Sequence, residues 1–149
     1  MNPRRDGHAW ERYVVSWLSD IFNLEKLSRK NEATAQIATS RAMSKGLDNR
    51  GIDIWFGQVP EYIDRLKIQC KKTLNKAKNT VNIDIASLYS MQGLLPTDIP
   101  LLYTRVTEKR GKRQKIVHEV VTMDIKTFNK FLKCYERVLS ESSHESKLS

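Results

Sequence analysis

Apolar and polar residues alternate along two short runs near the middle of the chain, Gly51-Ile52-Asp53-Ile54-Trp55-Phe56 and Leu66-Lys67-Ile68-Gln69-Cys70-Lys71-Lys72. A period of two is the signature of half-buried β-strands. In the first run Ile52, Ile54 and Phe56 share a face, which leaves Asp53 and Trp55 on the other. In the second, Leu66, Ile68 and Cys70 share a face opposite Lys67, Gln69 and Lys71. Gly57 and Pro60 punctuate the link between the runs, so the pair is expected to form a hairpin. An acid, an amide and a lysine would then share one patch.

Elsewhere the pattern changes period. Residues 7–23 read as an amphipathic helix at 100° per residue, with Trp10, Tyr13, Val14, Trp17, Leu18, Ile21 and Phe22 in the apolar arc. Glu11 interrupts that arc, since positions i, i+7 and i+11 nearly eclipse and set it between Leu18 and Phe22. A carboxylate turned toward a core needs a partner such as a metal or a lysine, although a first-turn acid also gains from the helix dipole. Residues 1–6 read as a loose basic arm and 24–29 as a first, edge strand. The stretch 30–49 is undecided between loop and short helix, and its end is expected to be exposed turn.

Past the central runs, Asp84 is placed to cap a short helix over 85–92 that Gly93 closes. Residues 101–106 and 115–121 read as two strands joined by a basic hairpin tip in which Gly111 can take a positive φ. Asp124 opens a last helix whose apolar residues, Ile125, Phe128, Phe131, Leu132, Tyr135, Val138 and Leu139, recur at helical spacing. That face is either a core surface or a dimer interface. Residues 140–149 read as a flexible, Ser-rich tail, which leaves one domain over 1–139.

Composition narrows the class. The chain has 149 residues, 40% of them hydrophobic, enough for one globular core, and 26 Lys and Arg against 17 Asp and Glu give a net charge of +9. Such an excess favours a polyanionic partner, usually nucleic acid. No apolar run approaches a membrane span, and no signal-peptide pattern opens the chain. Cys70 and Cys134 lack zinc-site spacing and read as buried thiols in a reducing, intracellular setting. His8, His118 and His144 are isolated from one another in sequence and read as ordinary surface or strand residues.

The chemistry is concentrated in the patch. Mg²⁺ takes one or two carboxylates, waters and substrate phosphate, so Asp53 can supply a carboxylate and Gln69 a carbonyl oxygen. Lys71, on the same face as Gln69, can orient a water or offset charge on a phosphate. Asp48 competes with Asp53 for this role but sits among turn formers. The D…QxK spacing alone is common, and it also arises where an acid ends a turn and a lysine is merely solvated.

Taken together, the order helix, strand, strand, strand, helix, strand, strand, helix and the succession Glu11, Asp53, Gln69, Lys71 resemble the PD-(D/E)XK nuclease superfamily. Within it, residues 7–139 are most similar to Holliday junction resolvases of archaeal and phage type. The resemblance implies an α/β, restriction-endonuclease-like core: a central mixed sheet of four to five strands flanked by helices. It implies a Mg²⁺ or Mn²⁺ site on Glu11, Asp53 and Gln69, with Lys71 as the fourth catalytic residue, hydrolysing phosphodiesters of branched DNA. Two features depart from the family pattern: Ile52 stands where proline is usual, and Gln69 where an acid is commoner. The DNA backbone would be held by Arg50, Lys72, Lys76, Lys109, Arg110, Lys112 and Arg113. Symmetric cutting of two strands implies a homodimer, for which the last helix is the candidate interface. The expected setting is the cytoplasm, in association with DNA, in a cell or a phage. The alternatives are a restriction- or repair-type endonuclease or nickase of the same fold, and a non-catalytic nucleic-acid-binding module.

Overall fold

The computed structural model describes residues 3–148. Helix α1, Pro3–Phe22, leads to strand β1, Ile37–Thr39, and to the short helices α2, Ser40–Met43, and α3, Lys45–Asn49. Strand β2, Ile54–Phe56, is followed by the single-turn helix α4, Glu61–Asp64, and by strand β3, Leu66–Asn75. Helix α5, Ile85–Tyr89, strands β4, Ile99–Arg110, and β5, Arg113–Thr122, and helix α6, Ile125–Leu148, complete the chain.

The strands fall into two sheets rather than the single four- to five-stranded sheet expected. β1 pairs antiparallel with β2, with Ala38 opposite Trp55. β3 pairs parallel with β4, and β4 antiparallel with β5, in the order β3-β4-β5. The hairpin expected between 52–56 and 66–72 therefore does not form. The parallel partner of β3 is β4, reached by a crossover of more than twenty residues that carries α5, as parallel pairing requires. A backbone bond nevertheless bridges the two sheets, from the Asp53 N–H just ahead of β2 to the Ile68 carbonyl of β3 at 2.8 Å.

Alternation along β3 and β4 divides the interior in two. On one face Ile68, Leu66 and Leu101 pack with Trp10, Val14, Val15 and Leu18 of α1 and with Ile37, Ile54 and Phe56 of the small sheet. On the other, Leu102 packs with Ile52, Leu88 and Met91. The buried face of α1 differs from the expected arc. Val15 and Ser19 are inside, the Ser19 hydroxyl donating to the Leu24 carbonyl, whereas Tyr13, Trp17 and Ile21 are exposed. Arg105 accounts for Tyr13: its guanidinium lies 4.4 Å from the Trp10 ring and 4.6 Å from the Tyr13 ring and pairs with Glu119 at 3.1 Å. A cation on two rings ties α1 to β4 and β5.

Further expectations shift at the ends and in the undecided stretch. Helix α1 already includes Pro3 to Asp6, residues 1 and 2 lying outside the described part. The segment 24–29 forms one parallel bridge, Lys26 to Ile37, instead of a strand. What reads as exposed turn at 44–49 contains α3, whose first turn is capped by the Ser44 hydroxyl accepting from the Leu47 N–H. The hairpin of β4 and β5 has Gly111 at φ 62°, as expected of its tip. Helix α6 continues to Leu148, through the segment that reads as a tail. Cys134 is exposed rather than buried, and Cys70 is half-buried; both are free thiols. Among the described residues no helix is long and apolar enough to cross a membrane.

Candidate active site

Asp53 sits where the two sheets meet. Its N–H donates to the Ile68 carbonyl, its carbonyl accepts from the Ser40 N–H at 2.8 Å, and its Oδ2 accepts from the Cys70 N–H at 2.7 Å. Three backbone bonds fix this residue, so its orientation comes from β3 and the start of α2 and not from a flexible turn. The D…QxK pattern thus brings Asp53 against the strand that bears Gln69 and Lys71, without the hairpin that the pattern suggested.

Burial pushes the Asp53 carboxyl up from 3.8 to about 6. The Cys70 N–H opposes the rise, Glu11 and Asp48 add to it, and Lys71 lowers it. All three charged side chains therefore act electrostatically on Asp53. Asp48, set aside in the sequence because it lies among turn formers, is exposed on α3 yet contributes to this negative field. The Cys70 thiol is also pushed well above its ordinary value, by burial first and then by Asp53 and Glu11.

Gln69 carries the second sign of an incomplete site. Its Oε1 is buried and has no hydrogen-bond partner among the described residues, which is costly for a polar atom. Its Nε2 lies 3.8 Å from the position of a Cβ on Gly51, itself at φ +79° where a side chain would be strained. A buried acceptor without a donor, on the residue next to the Cys70 whose N–H binds an acid of disfavoured charge, is an environment that a hard cation would relieve. Asp53 and Gln69 fit Mg²⁺ in donor chemistry, while among the described residues no group of three His, Cys, Asp or Glu gathers at one point.

Glu11 is buried, as its place in the apolar arc predicts, and its partner in the chain is an arginine rather than a lysine. Nη2 of Arg41 bridges both carboxylate oxygens, at 2.9 and 2.7 Å. Arg41 stands on α2, one residue after the Ser40 that binds the Asp53 carbonyl. Sequence reading missed it because residues 30–49 show no clear period. The only signal available was that a buried Glu11 must have a cationic partner. Two further groups escaped notice for a similar reason: the hydroxyls of Ser40 and Thr104 are fully buried without partners among the described residues. Thr104 is the register partner of Lys71 on β4.

The expected DNA-contact residues separate into four groups. Arg50 is committed locally, with Nε donating to the Gln92 carbonyl and Nη2 to the Gly93 carbonyl, both at 2.7 Å. Lys76 and Lys109 line an open pocket of about 550 Å³ at the far end of β3 and β4, together with Lys78, Asn75, Leu74 and Glu108. Arg110, Lys112 and Arg113 are exposed at the hairpin tip, and Lys72 is half-buried directly after Lys71. Comparison of the chain with protein-family models, curated proteins and solved structures finds no match.

Proposed function

We propose that the chain is a Mg²⁺-dependent endodeoxyribonuclease of PD-(D/E)XK type, most similar to a Holliday junction resolvase, with a restriction-endonuclease-like core. The observations that carry this reading are a half-buried Asp53, raised to about 6 and bonded to the Cys70 N–H, and the unpartnered Oε1 of Gln69, the residue next to Cys70. Two donors, one anionic and one neutral, face a deficit of positive charge there. Lys71 is a chain-borne source of positive charge that already lowers the Asp53 value.

In this reading Asp53 and Gln69 hold Mg²⁺, with Mn²⁺ as a substitute, and Glu11 joins them when it leaves Arg41. The bound ion supplies Lewis acidity to the phosphate and lowers the pKa of a water. The residues of the chain do the rest. Lys71 places a water in line with the scissile phosphorus and offsets charge on the non-bridging oxygens. Arg41, released from Glu11, has a guanidinium free for the same phosphate. The tip residues Arg110, Lys112 and Arg113 and the pocket residues Lys76 and Lys109 hold the phosphate backbone, so selectivity follows DNA shape more than sequence. Two symmetric cuts call for two copies related by a two-fold axis, acting on DNA in the cytoplasm.

A second reading keeps the fold and loses the chemistry. The Arg41–Glu11 pair favours it, since a neutralised Glu11 and an amide at position 69 leave Asp53 as the one unpaired carboxylate of the set. One experiment separates the two. Purified protein is incubated with labelled four-way junctions, linear duplex and single strands, with Mg²⁺ and with EDTA. The nuclease reading expects Mg²⁺-dependent cuts in the junction that vanish in Lys71→Ala, with junction binding kept. Binding to junctions without cleavage under any metal would establish the non-catalytic module, and cuts confined to linear duplex would move the protein to the restriction or repair class.

A further inference from the structure

Among the described residues, helix α6 is the longest element that contributes nothing to either buried cluster. It spans 24 residues, about 36 Å at 1.5 Å per residue. Every side chain from residue 128 to 143 is exposed. Seven of the exposed residues are large and apolar: Ile125, Phe128, Phe131, Leu132, Tyr135, Val138 and Leu139, from 38% to 72% accessible. Isolated apolar residues on a surface need no explanation, but seven in one arc do.

Their spacing says what kind of surface this is. Ile125, Phe128, Leu132, Tyr135 and Leu139 follow one another at intervals of three, four, three and four residues. This is the a and d spacing of a coiled-coil seam, and it places Phe131 and Val138 on one flank and Asn129 and Glu136 on the other. From these positions, we propose that α6 pairs antiparallel with α6 of a second copy of this chain. In an antiparallel pair like flanks meet, so Phe131 lies beside Val138 of the second copy and Asn129 beside its Glu136. A parallel pair would set Glu136 against Phe131, a charge against a ring. The core layers of the antiparallel pair are Leu132 on Tyr135 and Phe128 on Leu139, each made twice across the two-fold axis.

Charge and area agree with that occupant. The first half of the helix, 125–136, carries Lys126, Lys130 and Lys133 against Glu136, and the second Arg137 and Lys147 against Glu141 and Glu145, so antiparallel pairing sets the basic half against the neutral one and avoids the basic-on-basic contact of a parallel pair. The seven side chains together expose on the order of 650 Å² per copy, approaching the ~800 Å² per partner of a standard stable interface. A basic amphipathic helix also suits an anionic membrane surface, but there the three glutamates of α6 would be repelled, and a lipid surface demands no seam spacing.

The test needs neither DNA nor metal, so it is independent of the nuclease reading. Full-length protein is analysed by sedimentation velocity between about 1 and 100 μM, a range that brackets typical transient and stable dimers. The dimer, of twice the 17.3 kDa chain mass, should be present in the wild type. It should weaken by about 100-fold in Leu132→Glu, as for a central interface residue, and be retained in Lys130→Glu on the outer face. Leu132 lies outside the two buried clusters, so thermal unfolding of the body should be unchanged. Orientation is read by disulfide trapping in a Cys134→Ser background. Phe128→Cys mixed with Leu139→Cys should cross-link, and neither should cross-link alone. A monomer at all concentrations, a dimer indifferent to Leu132→Glu, self-cross-linking of Phe128→Cys alone, or a monomer that instead binds anionic vesicles through α6 would each overturn the proposal.

Discussion

Replacing Asp53 by asparagine removes a charge that the fold disfavours, and the size of the effect follows from the site. A carboxyl raised from 3.8 to about 6 binds a proton more readily in the folded chain than in the unfolded one. Between those values the folded state holds the extra proton, so stability falls as pH rises. Above about 6 the whole penalty is present, at most about 3 kcal/mol and ~2 kcal/mol after allowing for incomplete burial. Asparagine is nearly isosteric and keeps an oxygen to accept from the Cys70 N–H, so the penalty is lost and the anchoring bond is not. In urea denaturation with EDTA, Asp53→Asn should therefore be more stable than wild type by ~2 kcal/mol at pH 7.5, and the gap should close toward pH 4. Comparing the two proteins at each pH cancels the titration of every other carboxylate. Adding Mg²⁺ at about ten times its Kd should stabilise only the wild type, by ~1.4 kcal/mol. An Asp53→Asn protein less stable than wild type at pH 7.5, or one stabilised equally by Mg²⁺, would show that Asp53 is a structural acid, and the site would fall with it.

Other consequences can be read from the same geometry. Arg41→Ala leaves the buried Glu11 carboxylate without its partner, so the metal-free protein should lose about 1–3 kcal/mol, less than for a fully buried pair because Arg41 is partly exposed. Mg²⁺ should then bind several-fold more tightly by calorimetry, and unchanged stability together with unchanged affinity would refute the competition between Arg41 and metal. Affinity for junction DNA should fall steeply between 50 and 200 mM salt, with a log–log slope shallower by about two in Arg110→Ala/Arg113→Ala. A slope equal to wild type would remove the hairpin from the DNA surface. Arg50→Ala should lower thermal stability more than DNA affinity, because its guanidinium is held by the Gln92 and Gly93 carbonyls; the opposite order would restore it to the binding surface.

Residues with a strong local period were legible from sequence, and those set by long-range contacts were not. Alternation placed Ile52, Ile54 and Ile68 inside and set Gln69 and Lys71 on one face of their strand, because strand period is a local property. Pairing partners are not local. β3 lies against β4 because the crossover returns the chain parallel, whereas the Gly and Pro residues of the 57–64 link suggested a hairpin. Glu11 announced itself by standing in an apolar arc, yet Arg41 lies thirty residues away in a stretch without period, so only coordinates could join them. Asp48 was discounted for its turn-forming neighbours, and its effect on Asp53 acts through space. The apolar stripe of α6 was plain in the sequence, but its exposure was not, since a core helix and an interface helix have the same pattern.

The central claim is that Asp53 and Gln69 receive one cation beside Lys71. A crystal soaked in Mn²⁺ and measured at the manganese absorption edge tests it without any assumption about substrate. The account predicts an anomalous peak about 2.2 Å from both an Asp53 carboxylate oxygen and Gln69 Oε1, absent from an Asp53→Asn crystal. No peak there at saturating Mn²⁺, or a peak that persists in Asp53→Asn, would contradict it.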